Sequence, residues 1–110
     1  MSTPPPDAAP LFRVDRFVVP ENAVSVFMER LRRIQRSLDA MPGCRQNLVL
    51  TRSSGPGRFS VITLVEWESE AAITAAQEAM RSHYADEGFN PGEFMQALDI
   101  QADLGLYRSA

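Results

Sequence analysis

The sequence predicts an α+β fold of the ferredoxin-like, split βαβ type with an antiparallel sheet. Three observations predict it. Periodic segments follow one another as strand, helix, strand, strand, helix, strand; Gly and Pro clusters punctuate them; and the third strand is apolar on both faces through its middle, as a central strand should be. A chain of 110 residues suits one small domain, placed at residues 11–107, with one core.

Each element has a local cause. Leu11 to Val19 is rich in Val and Phe, interrupted by Arg13, Asp15 and Arg16, and Pro20 ends it, which reads as a strand. Asn22 is the expected cap of a helix starting near Ala23, in which Val24, Phe27, Met28, Leu31, Ile34 and Leu38 recur at three- and four-residue steps. Pro42 and Gly43 stop that helix. Cys44 to Thr51 alternates as a second strand, with Cys44, Gln46, Leu48 and Leu50 on one face and Arg45, Asn47, Val49 and Thr51 on the other.

Gly55, Pro56 and Gly57 supply a turn, so the third strand, Phe59 to Trp67, completes a hairpin with the second. Ser69 caps the next helix, and Glu70 puts an acid in its first turn. Ala71, Ala72, Ala75, Ala76 and Ala79 give this helix small side chains, which allow either close approach to the sheet or volume for a ligand. Residues 93–98 form a short helical turn, and Asp99 to Tyr107 is the last strand.

Composition excludes several functions. A net charge of -3 without a basic stripe argues against nucleic-acid binding; Arg30, Arg32, Arg33 and Arg36 read as the solvated side of the first helix. One cysteine, Cys44, permits no internal disulfide and no cysteine-based metal cluster. His83, Asp86 and Glu87 lack a metal-binding spacing, so no metal is expected. With no apolar run of membrane length and no targeting signal, a cytoplasmic, soluble protein is expected. Met1 to Pro10, with Pro4, Pro5, Pro6 and Pro10, is expected to be a disordered tail. Two helices covering one sheet face would leave the other apolar and open, which predicts a homodimer joined across it.

The first strand ending in Phe17 to Pro20, the turn Met41, Pro42, Gly43, Cys44, and the third strand running into Glu66, Trp67, Glu68, Ser69 and Glu70 carry a resemblance to the antibiotic biosynthesis monooxygenase family. It spans Leu11 to Leu106. The resemblance implies a dimeric α+β barrel, and a monooxygenase that needs no cofactor and acts on an aromatic or quinone-like molecule such as a polycyclic phenol or anthrone. The alternative is a non-catalytic dimeric module that binds a hydrophobic ligand. In the haem-degrading branch a histidine near Ala76 or Gln77 would ligate iron and an asparagine would stand at about Asp15; this chain has neither, so haem degradation is not expected.

The candidate site gathers around Trp67, the only tryptophan, where a strand rim meets a helix. Trp67 and Arg81 are the expected substrate-binding residues, Arg81 as a cation stabilising a substrate anion. His83, Tyr84 and Asp15 are the expected catalytic residues: His83 because histidine is the residue type suited to general-base work near neutrality, Tyr84 as a donor to a substrate oxygen, and Asp15 as a second candidate base. Arg81 and His83 are two apart on a helix, so only one of them can share the face of Tyr84.

Overall fold

The computed structural model describes residues 9–110; the expected tail lies outside them except for its last two positions. The elements are β1 (Leu11–Val18), a 3₁₀ turn (Glu21–Ala23), α1 (Val24–Asp39), β2 (Cys44–Thr51), β3 (Val61–Trp67), α2 (Glu70–Glu87), α3 (Pro91–Ala97) and β4 (Gln101–Tyr107). All strand pairs are antiparallel, in the order β2-β3-β1-β4. The ferredoxin-like order expected from the sequence is therefore present.

The barrel expected from the family resemblance is not. Among the described residues the sheet is open, with β2 and β4 as unpaired edges at opposite ends. Four strands are too few to close on themselves, since a closed barrel with a filled interior takes about eight. Here helices, rather than further strands, cover the inner face.

Register assigns the faces. Leu11, Arg13, Asp15 and Phe17 of β1 stand opposite Trp67, Val65, Thr63 and Val61 of β3. This is the helix-covered face, on which Leu11, Phe17, Val61, Val65 and Trp67 are buried. Phe12, Val14, Ile62, Leu64, Leu48 and Leu50 point the other way, and no element among the described residues covers them. Leu48 and Leu50 remain 37% and 45% exposed.

Local chemistry explains the helix ends. The Ser69 side chain accepts from the Ala72 amide at 3.2 Å, as expected of its N-cap position. At the other end of α2, Gly88 adopts φ 67°, and the amides of Gly88 and Phe89 bond back to Ala85 and Tyr84. α1 departs from expectation: it starts at Val24 with no side-chain cap, because the Ala23 amide bonds to the Pro20 carbonyl and forms the 3₁₀ turn. Asn90, which sequence periodicity did not single out, caps α3 by accepting from Glu93 ahead of Pro91 in its first turn.

Gly43 is required where it stands. Its φ is 85°, its carbonyl accepts from the Glu68 amide at 2.9 Å, and a Cβ there would lie 2.6 Å from the Ala72 Cβ. Ala72 thus uses its small size for close approach. Gly43→Ala is expected to cost about 1–3 kcal/mol from the backbone conformation alone, with the Ala72 clash added. Urea unfolding would measure it; an unchanged midpoint would contradict this account of the turn.

Candidate functional site

The core falls into two clusters. One joins Phe17, Val19, Ala23, Phe27, Leu31, Val61 and Ile100; the other joins Leu11, Val65, Trp67, Ile73 and Ala76. Members of both line a cavity of about 380 Å³ between the covered sheet face and the three helices. An interior normally closes such space by side-chain interdigitation. Here Ala76, buried on α2, leaves it open, so the small residues of α2 serve both uses that the sequence allowed: Ala72 for approach, Ala76 for volume.

On α2 the lining residues are Ile73, Ala76, Gln77, Met80, Arg81 and Tyr84. Their steps of three and one trace a helical stripe. β1 contributes Arg13, Asp15 and Phe17, and β3 contributes Thr63, Val65 and Trp67, each set alternating as strand residues on one face must. The structure therefore brings together Trp67, Asp15, Arg81 and Tyr84. His83 does not join them. It lies off the stripe, 51% exposed, with Nε2 3.1 Å from the Glu87 carboxylate.

Among the described residues, Asp15 is the one carboxylate on the cavity wall. Arg13 Nε donates to its Oδ1 at 2.7 Å, and Oδ2 makes no hydrogen bond among the described residues. The Asp15 side chain is 18% exposed. Arg81 lines the cavity from the exposed side of α2 and makes no ion pair among the described residues. Burial pushes the Tyr84 phenol above its ordinary value of 10.0; Arg30 pulls it down, and Glu87 adds to the rise. The phenol therefore stays protonated near neutral pH and can donate.

Several lining residues were not singled out from sequence. Arg30 donates to Glu87 at 3.0 Å and lies 3.8 Å over the Phe89 ring, whose edge meets Tyr84 with ring centroids 5.3 Å apart. Gln35 donates to the Asn47 carbonyl at 2.9 Å; Asn47 donates to the Gln35 carbonyl at 2.8 Å and to Asp39 at 2.9 Å. This reciprocal pair ties α1 to β2. Arg13 and Asn47 could have been found from strand alternation, since they share the faces of Asp15 and Val49.

Cys44 is no nucleophile. Burial, then the charge of Asp39, raise its thiol above the ordinary 9.0, so it stays protonated at neutral pH. No group of three or more His, Cys, Asp or Glu suited to a metal ion occurs among the described residues, and none of their helices is long and apolar enough to cross a membrane.

A ferredoxin-like α+β domain with an apolar cavity under its helices, carrying an aromatic platform and a small set of polar groups, defines the class. The chain belongs to the antibiotic biosynthesis monooxygenase family, whose pattern matches residues 10–86. No curated protein sequence matches it. Among solved structures, it is similar to a protein of Methanosarcina mazei (19% identity, TM-score 0.72, covering 94% of this chain and 96% of that one). It is also similar to SnoaB, a cofactor-independent oxygenase of Streptomyces nogalater (20% identity, TM-score 0.66, 93% and 94% covered). A third similar structure is a variant of MhuD with two manganese protoporphyrin IX molecules bound per active site (19% identity, TM-score 0.67, 91% and 94% covered). At these identities the likeness is one of fold. The cavity lining offers no histidine as an axial haem ligand, because Ala76 and Gln77 stand on the cavity side of α2 and His83 lies off it.

Proposed function

We propose that the protein is an oxygenase that needs no cofactor and oxidises an aromatic or quinone-forming small molecule held in the cavity against Trp67. The observation that carries this reading is Asp15: a carboxylate, oriented by Arg13, on the wall of a mostly apolar cavity that it shares with Tyr84 and Arg81. A void of ~150 Å³ accommodates one benzene ring, so the volume here suits roughly two to three fused rings.

The chemistry needs little more than these groups. Asp15 takes a proton from an acidic phenol or methylene; Arg81 stabilises the resulting anion; Tyr84 donates to a substrate oxygen. The anion then reduces O₂ directly. Overall, a methylene carbon and O₂ give a carbonyl and water: one oxygen atom enters the product, the other leaves as water with the two substrate hydrogens, and no external reductant is consumed. A module that merely stored a hydrophobic ligand would gain nothing from an ion pair in its cavity wall, where desolvation is costly. Oxygen uptake measured with a hydroquinone, phenol and anthrone panel tests the reading. Acceleration over the protein-free rate for at least one member is expected; no acceleration for any of them would contradict it.

The open sheet face supports a homodimer in which Ile62, Leu64, Leu48 and Leu50 of each copy are covered by the other. Ile62→Asp is expected to raise the dimer dissociation constant by at least about a hundredfold, because burying an unpaired carboxylate costs several kcal/mol. Val61→Asp, on the covered face, should instead unfold the chain. Sedimentation equilibrium would distinguish these outcomes; a wild-type protein monomeric at every concentration would refute the dimer.

A further inference from the structure

Beside the cavity, between α1 and the C-terminal half of α2, runs a polar groove of about 350 Å³. Arg30, Arg33 and Arg36 line it together with His83 and Glu87. Glu87 receives Arg30 at 3.0 Å, Arg33 at 3.3 Å and His83 at 3.1 Å, and the hydrogen bond from Arg30 is the leading cause that lowers its carboxyl below the ordinary 4.5. One carboxylate thus holds two guanidiniums and an imidazole. Arg36 has no ion pair or hydrogen bond among the described residues. The groove keeps an excess of two positive charges, counting three arginines against Glu87, in a chain whose net charge is -3.

The groove and the cavity are contiguous. Arg30, Ile34, Met80 and Tyr84 line both, so a substituent that leaves the cavity past Tyr84 enters the groove. Solvation of a helix surface does not require cations to converge on the rim of an apolar cavity, and a local surplus beside such a rim attracts ligands of opposite charge. Guanidinium forks match carboxylate geometry.

We propose that this groove is a second subsite, which takes the carboxylate of an aryl acid whose ring system occupies the cavity. It rests on the proposed function for the ring, and deepens it by naming the substrate class as acidic aromatics. Arg33 and Arg36 are its anion-binding residues, and Glu87 competes with the ligand for Arg33 and Arg30.

The test compares anthraquinone-2-carboxylate with the neutral anthraquinone-2-carboxamide, reading quenching of the single tryptophan, Trp67, in the full chain. The carboxylate is expected to bind about tenfold more tightly, a preference that shrinks as salt is raised. In the Arg33→Ala/Arg36→Ala double variant the preference should fall to near one while carboxamide affinity stays within about twofold, which a general loss of structure would not produce. Glu87→Gln should enlarge the preference by freeing two guanidiniums. Equal binding of the two probes to the wild-type protein, or a preference that survives the double variant, would overturn the subsite alone. Failure of both probes to quench Trp67 would overturn it together with the cavity reading beneath it.

Discussion

Asp15→Asn is expected to lower oxygen-dependent turnover by roughly 10²–10⁴-fold, the range set by removal of a positioned general base. The change is nearly isosteric, and an asparagine oxygen can still accept from Arg13, so the wall keeps its shape. Binding of a neutral ring ligand should therefore change little while the rate collapses. His83→Ala is the matching control. With its imidazole outside the cavity and paired with Glu87, its loss should leave turnover within about threefold of wild type, well short of a lost base. Steady-state oxygen uptake on a reactive phenol or anthrone would read both variants. The reverse result, with His83→Ala inactive and Asp15→Asn unaffected, would reassign the base.

Trp67→Ala should cost about 3–5 kcal/mol of stability, as large-to-small substitutions of buried aromatics do. Trp67 is 4% exposed and packs with Leu11, Val65, Ile73 and Ala76, so its removal would join a new void to one already present. Collapse around the site is hindered because α2 is anchored by the Ser69 cap and by the close contact between Ala72 and Gly43. Urea unfolding followed by far-ultraviolet circular dichroism would measure the loss. Trp67→Phe should retain most of the stability and lose ring-ligand affinity by a few-fold, since stacking is worth about a kcal/mol beyond area burial. A Trp67→Ala protein as stable as wild type would mean that the indole is not a core element.

How much of this was legible in the sequence differs from element to element. Period-two alternation left the direction of Asp15 open; the pairing of β1 with β3 sets it opposite Thr63, on the face of Trp67. β2 was misread at its start. A bulge between Cys44 and Gln46 shifts the alternation, so Cys44 packs with the Trp67 cluster on the same side as Asn47, whereas alternation separates them. Such an irregularity has no sequence mark here. Phe59 was expected inside the third strand, yet β3 begins at Val61; Phe59 instead lies 4.5 Å beneath the Arg16 guanidinium, a non-local contact invisible to periodicity.

The second helix held the most information about the site. Spacing showed that Arg81 and His83 could not both face the cavity with Tyr84, and the stripe from Ile73 through Met80 to Tyr84 puts Arg81 there. Titration chemistry favoured His83, but chemistry does not orient a side chain. The open sheet was illegible for a different reason: strand order within one chain says nothing about closure, and the barrel came only with the family resemblance. Arg30 was read as solvated, and Gln35 and Asn47 were given no role, because a polar residue beside an apolar stripe reads as solvated until the facing element is known.

The central claim is that the cavity oxygenates an aromatic ring system without a cofactor. Its most direct test is a reaction of the purified protein with anthrone under ¹⁸O₂, with no added metal, flavin or reductant, followed by mass spectrometry of the product. The account predicts anthraquinone carrying one ¹⁸O atom, formed faster than by protein-free autoxidation, absent without oxygen, and lost with Asp15→Asn. A rate equal to autoxidation for wild type and variant alike would contradict it.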